Sequence, residues 1–375
     1  MVQRLYLAGS ALTSAVDHHA LGETVETTNV CLSVDGQNME IPFYAIADHP
    51  LHDNEQRLLA ITEQVIHQAI KEAGWGDKQL SDCAVFIGST SYSLYAAELL
   101  YQRTERHLLT ESLGLTDLAL LANHIQQLIP KAQLFTFNTA CTSSANALLY
   151  AAKMIRAGVV RHALVIGLEF YNSITLLGFN ALGLISKSKQ MQPFGLNRDG
   201  LILGEACSAI ALSGNKPNKP CVEFIHGATQ GDNYSMTAAN PDGSVIEQVI
   251  RQALNNAKIQ ADDIAAVKLH GTASLANDDA EFAGLQRIYG DDIPPACSLK
   301  PMLGHTLGAC GSNELVLLQR YLLNKSWPIA ADYPIDPALP VALNKPFSPT
   351  DNSYYLLNFF GFGGSNTALV VRQVS

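Results

Sequence analysis

A lone thiol, two histidines and a lysine and glutamate close to one of them are the side chains here whose types and spacing can do chemistry. Cys141 lies in "LFTFNTACTSSANALLYAAKMIRAG", where an extended run gives way to an apolar-periodic segment. A thiol at a helix start meets unsatisfied N–H groups and the positive end of the helix dipole, which lower its pKa. The same N–H groups can hold an oxyanion formed on an acyl group carried by the sulfur. The other reading of this stretch alone is a buried structural cysteine. His270 ends the apolar run of "VKLHGTASLANDDAE", in a loop of small and hydroxylic residues. His305 stands in "SLKPMLGHTLGACGSNEL" between Lys300 and Glu314, where Gly304 and Gly308 permit close backbone approach. Each histidine alone also fits an ordinary loop or core position. A metal site on His270, Asp278 and Asp279 lacks a second ligand at metal-binding spacing.

The elements that must position these groups read as alternating strands and helices, an α/β pattern. Extended apolar runs recur in "QRLYLAG", "CAVFIG", "QLFTFN", "HALVIG", "ACSAIAL", "AAVKLH" and "YYLLNFF". Cys141 follows one of them and His270 ends another, and α/β folds keep their sites in such loops. There is also an internal echo. "EQVIHQAIKEA" at Glu63 resembles "EQVIRQALNNA" at Glu247, and each is followed by a polar turn, an apolar strand ("CAVFIGST", "AAVKLHGTA") and a small-residue loop. The most linker-like stretch, "SGNKPNKP" from Ser213 to Pro220, lies between the copies. Two similar halves are therefore expected, residues 1–215 with the cysteine and 216–375 with the histidines.

Composition bounds the partners. The chain has 375 residues, 47% hydrophobic and 15% charged, ample for a large core. Its net charge of −10 disfavours nucleic acid. Seven scattered cysteines without a CxxC pair argue against a disulfide framework or a zinc site. The N-terminal residues lack a signal-peptide layout and no apolar run is long enough to cross a bilayer, so a cytoplasmic protein is expected.

Taken in order, the motifs resemble the condensing enzymes of the thiolase fold, and among them the elongating β-ketoacyl-[acyl-carrier-protein] synthases. "TACTSS" looks like the family's nucleophile elbow, and "HGTAS" with Asp278 and Glu281 like its first histidine motif. "KPMLGHTLGACGSNE" looks like its lysine and second-histidine motif, and "NFFGFGGSN" like its Gly-rich gate loop. Thiolases carry a second catalytic cysteine where this chain has "GFGG", and CoA-primed synthases use asparagine where it has His305.

The resemblance implies a layered α-β-α-β-α fold of two pseudo-duplicated halves. It implies that Cys141 accepts the acyl chain, and that His270 and His305 stabilise the enolate formed when a malonyl thioester loses CO₂. The N–H groups of Cys141 and Phe360 would form a second oxyanion hole, and Phe360 would gate the acyl pocket. Lys300 and Glu314 would orient the histidine loop, while Thr272 and Ser274 would bind the pantetheine arm. No bound cofactor or metal is implied, because the phosphopantetheine belongs to the acyl carrier protein, the expected partner. An obligate dimer is also implied.

Departures point to a second role. The expected carrier-docking helix offers Arg57 among Asp53, Asn54 and Glu55, and Gln192 stands where a basic residue is common. Lys187, Lys189 and Arg198 are the candidates to replace that basic face for an acidic carrier. The alternative is a chain-length-factor-like partner subunit of a type II polyketide or aryl-polyene system. A heterodimer with a second ketosynthase-like chain is accordingly preferred over a homodimer.

Overall fold

The computed structural model describes residues 3–375 except 18, 35, 48–55, 93, 95–97, 99–117, 329–331 and 344. The strands are β1 Leu5–Ser14, β2 Thr28–Val34, β3 Gln37–Tyr44, β4 Cys83–Gly88, β5 Gln133–Phe137, β6 His162–Glu169 and β7 Leu203–Gly204. They continue with β8 Ala206–Ser213, β9 Cys221–Gly231, β10 Ile264–Lys268, β11 Ala296–Cys297, β12 Tyr354–Gly361 and β13 Ser365–Val374. The helices are α1 Gln56–Ala73, α2 Asp77–Leu80, α3 Leu118–Leu128, α4 Ser143–Arg156, α5 Ser173–Ala181, α6 Ser244–Ala257, α7 Leu275–Tyr289, α8 Lys300–Leu303 and α9 Cys310–Leu323.

Ten strands form one sheet in the order β11-β10-β12-β13-β9-β1-β8-β6-β4-β5, and β2, β3 and β7 form a small second sheet. The large sheet is mirrored about its middle. From β1 outward the pairings are antiparallel, antiparallel, parallel, parallel, and from β9 outward they are the same. Among the described residues the two half-sheets pair through Leu5 opposite Phe224 and Tyr6 opposite Glu223.

The echoed helices take matching places, α1 on β1 and β8, α6 on β9 and β13. Their apolar faces match too: Val65, Ile66 and Ala69 are fully buried, as are Val249, Ile250 and Ala253. Both show the spacing of a helix with one face on a sheet. Helices α4 and α9 differ, being buried on nearly all sides. They pack on each other and touch strands of both half-sheets, which makes the central layer of a thiolase-like α-β-α-β-α arrangement.

Small residues make that central contact possible. A Cβ on Gly311 of α9 would stand 2.1 Å from the Ala145 backbone nitrogen of α4, and one on Gly88 would stand 2.3 Å from the Ser144 backbone. Gly311→Ala should therefore cost roughly 1–3 kcal/mol by overpacking against backbone that cannot swing away. Gly178→Ala, in α5 with nothing within 4 Å of the added carbon, should be neutral or slightly stabilising. Thermal unfolding of the two variants checks this; equal Tm values would contradict it.

Candidate active site

Cys141 sits on an elbow between β5 and α4. Ala140 before it has φ +51°, a left-handed conformation that costs a non-glycine residue free energy. The turn is pinned by the Ser143 hydroxyl, which accepts the Thr139 N–H at 2.9 Å and donates to the Ala140 carbonyl at 2.6 Å. Thr142 adds a bond of 2.7 Å to the Ser365 hydroxyl, tying the elbow to the start of β13. Cys141 is 4% exposed, and it lines a cavity of about 280 Å³ together with His270, His305, Thr272, Ser274 and Phe360.

The histidines are held by their backbones and by one ring nitrogen each. His270 and Gly271 donate their N–H groups to the two oxygens of Glu281, at 2.8 and 2.9 Å. His305 donates its N–H to the Ile202 carbonyl at 2.7 Å. The Lys300 ammonium lies 3.2 Å from His270 Nδ1, and the Leu307 N–H donates to His305 Nδ1 at 3.2 Å. A nitrogen that accepts in this way carries no proton, so each neutral ring keeps its proton on Nε2. Burial and the Lys300 charge hold both histidines well below the ordinary histidine pKa. The rings stand edge to face with centroids 5.5 Å apart. Two neutral N–H donors on one cavity suit an oxyanion that develops during reaction.

Lys300 and Glu314 meet as expected, at 2.7 Å and fully buried. Lys300 also donates to the His270 carbonyl at 2.6 Å, so the pair sets the His270 loop directly. Thr272 and Ser274 share a hydroxyl–hydroxyl bond of 2.9 Å on the cavity wall, and the Thr272 N–H is fixed by Asp278 at 3.0 Å.

Several expectations need correction. The Cys141 thiol is raised to about 11 rather than lowered. Desolvation outweighs the stabilising Phe362 and Cys141 N–H groups and the Lys300 charge. Nor does Phe360 occupy the place expected of a gate. It is 4% exposed, pairs with Asn366 in the β12–β13 ladder, and packs edge-on against His270 at 5.6 Å. The N–H that faces the cysteine sulfur belongs to Phe362, whose half-buried ring stacks on Phe179 in the turn Phe362–Gly364.

The basic face also differs. Arg57 is buried in an ion pair with Glu205 at 2.5 Å, and Arg198 is held by Asp279 and Asp336, both at 2.7 Å. Neither is available to a docking protein. Lys187 is exposed, and Lys189 reaches Glu40 at 3.5 Å. Asp53, Asn54 and Glu55 lie outside the described residues.

One site residue was missed altogether. Lys268, at the end of β10, donates to the second oxygen of Glu314 at 2.5 Å.

Comparison with known proteins places the class. Residues 14–217 match the family model "Beta-ketoacyl synthase, N-terminal domain", and residues 223–333 match "Beta-ketoacyl synthase, C-terminal domain". The chain belongs to the β-ketoacyl synthase family.

Among curated relatives it is 29% identical over 254 residues to 3-oxoacyl-[acyl-carrier-protein] synthase 2 of Vibrio harveyi, an alignment spanning 64% of this chain and 61% of that protein. It is 31% identical over 211 residues to the tetracenomycin polyketide synthase ketoacyl synthase alpha subunit of Streptomyces glaucescens, covering 52% and 49% of the two chains. The chain thus matches about three fifths or less of these relatives' length. Its fold is similar to that of a type II polyketide ketosynthase solved with its acyl-carrier protein, with TM-score 0.84, 20% identity and full coverage of both chains. It is also similar to a structure of the ketosynthase ApeO with its chain length factor ApeC from Xenorhabdus doucetiae, with TM-score 0.81, 24% identity and coverage of 99% and 98%.

The raised thiol generates a prediction. Cys31 is exposed and would react with iodoacetamide first, so the measurement needs a Cys31→Ser background. There, alkylation of Cys141 followed by mass spectrometry should be slow at pH 7 and rise with pH through about 11. A rate already level below pH 8 would show a depressed thiol instead.

Proposed function

We propose that this chain is a β-ketoacyl-[acyl-carrier-protein] synthase of the elongating, Cys-His-His class. The observation that carries the reading is the convergence of Cys141 and two neutral, Nε2-protonated histidines on one cavity. The Cys141 sulfur attacks an acyl thioester, its proton leaves with the carrier thiol, and an acyl–cysteine thioester remains. A malonyl thioester then binds with its carbonyl oxygen at the Nε2–H groups of His270 and His305. Loss of CO₂ leaves an enolate on that oxygen, stabilised where its charge appears. The enolate carbon attacks the acyl carbon, the Cys141 thiolate departs, and a β-ketoacyl thioester results. The N–H groups of Cys141 and Phe362 would hold the tetrahedral oxyanion, and the Phe362 turn would be the gate.

Lys300 and Glu314 orient His270, and Thr272 and Ser274 line the way for the pantetheine arm. The frame would be two duplicated halves, residues 1–215 and 216–375, acting in the cytoplasm without a bound cofactor.

Strand β5 ends the ten-stranded sheet, with Phe135 and Phe137 partly buried and Tyr150 exposed beside it. Pairing of this edge with another synthase-like chain would cover it, in an interface of more than ~2,000 Å² typical of obligate dimers. A heterodimer is favoured because Arg57 and Arg198 are committed to internal ion pairs, so the second chain would supply most of the carrier-docking surface. The partner-subunit reading rests on the same observation.

Replacement of His270 or His305 by alanine should slow malonyl-carrier decarboxylation by roughly 10²–10³-fold, the loss expected for one oxyanion donor. Acyl transfer onto Cys141 should suffer less. Undiminished decarboxylation would remove that histidine from the mechanism. Sedimentation of the chain alone and with a second synthase from its own pathway distinguishes the assemblies. A fully active homodimer would reject the partner-subunit reading, and a monomer active alone would reject the dimer.

A further inference from the structure

We infer that Lys268 is a positioning residue for the histidine pair: sharing Glu314 with Lys300, it keeps the buried charge cluster beside the two rings net positive. The inference rests on reading the cavity as a decarboxylating condensation site. Lys268 is 0% exposed, and each proton of its ammonium has a partner. It donates to Glu314 Oε2 at 2.5 Å and to the Asn358 carbonyl at 2.8 Å, and it lies 3.6 Å from the centroid of the Phe359 ring. A full set of acceptors and a π-face fit an ammonium, not a neutral amine. Lys300 is equally complete, with Glu314 Oε1, the His270 carbonyl and His270 Nδ1.

Burial lowers the Lys268 pKa and the Glu314 charge opposes that; with both lysines protonated, two ammoniums and one carboxylate leave one unit of positive charge. A plain Lys300–Glu314 pair would orient His270 equally well and would be neutral, which is easier to bury. The cluster meets His270 through Lys300, on the Nδ1 side and opposite the Nε2 edge. There it disfavours a proton on either ring and favours negative charge on an oxygen held by the two N–H groups. The other carboxyl groups packed around the rings, Glu281 and Asp278 of α7 and Glu169, keep their donors in the variants below and form a fixed background to the comparison. Glu281 and Asp278 from α7 are raised by burial, Asp278 to about 7. Glu169 and the Cys141, Cys297 and Cys310 thiols are raised as well.

The test uses the full chain labelled with ¹⁵N-histidine, in whatever assembly it forms, and follows the side-chain nitrogens by NMR as pH is varied. In Lys268→Met the pKa values of His270 and His305 should rise by about one pH unit or more. The kcat for malonyl-thioester decarboxylation should fall about tenfold with little change in KM, since the interaction is made with transition-state charge. Lys268→Met combined with Glu314→Gln again leaves one ammonium and no carboxylate. The histidine pKa values should then return toward those of the unaltered chain.

Unchanged histidine pKa values in Lys268→Met, or a rise that Glu314→Gln does not reverse, would overturn the inference and leave Lys268 a structural brace. If Lys268→Met does not fold by circular dichroism, Lys268→Gln keeps an N–H for the Asn358 carbonyl and is read the same way. Absence of decarboxylation in the unaltered chain would remove the proposed activity, while the histidine titrations would still decide the role of Lys268.

Discussion

The cavity depends on one close approach, that of the Ala145 and Gly311 backbones where α4 meets α9. Helix α4 begins two residues after Cys141, and α9 begins five residues after His305 and carries Glu314. Were these helices at an ordinary side-chain separation of 8–10 Å, the nucleophile elbow and the second histidine would part. Gly88 and Gly167 extend the same economy of volume to the strands beneath, where an added carbon would meet Ser144 or Ser312. Close packing here places reacting groups before it contributes any stability.

Around that contact the chain assembles charge in an unusual way. Arg57 and Glu205 form a simple buried pair, which fastens the start of α1 to the segment leading into β8. The Lys268–Glu314–Lys300 cluster stands directly behind a cavity-lining ring. Breaking a buried pair commonly costs 3–5 kcal/mol, because one charge is left uncompensated. Such groups persist where geometry or charge is needed. On the cavity wall the imidazoles and the thiol are neutral, and the Lys300 charge stands behind the His270 ring.

Much of this was legible in the sequence because it is local. Each apolar run singled out there became a strand, and the Glu63 and Glu247 helices took equivalent places in the two half-sheets. Cys141, His270, His305, Lys300 and Glu314 stand in short motifs whose spacing fixes their surroundings, and the structure brings them together. What escaped depends on distant partners. Lys268 reads as the polar end of a strand until Glu314, 46 positions away, arrives beside it. Arg57 and Arg198 read as surface charges, yet the acid of the first is 148 positions away and those of the second 81 and 138. Phe360 and Phe362 have similar local sequence. Only the ladder that buries the first and the turn that presents the second tell them apart. The thiol was misjudged because a helix terminus is visible in sequence and desolvation is not.

The burial of the thiols has a consequence for oxidative life. Peroxide attacks thiolates, and burial raises the pKa of Cys83, Cys141, Cys207, Cys221, Cys297 and Cys310. Only Cys31 lies open to solvent among the seven. Mild oxidants should therefore mark the small β2–β3 hairpin, through a sulfenic acid or a mixed disulfide at Cys31, long before they reach the cavity. The protein carries its nucleophile in a form that oxidants find hard to use, and its one exposed thiol on a strand remote in sequence from the chemistry.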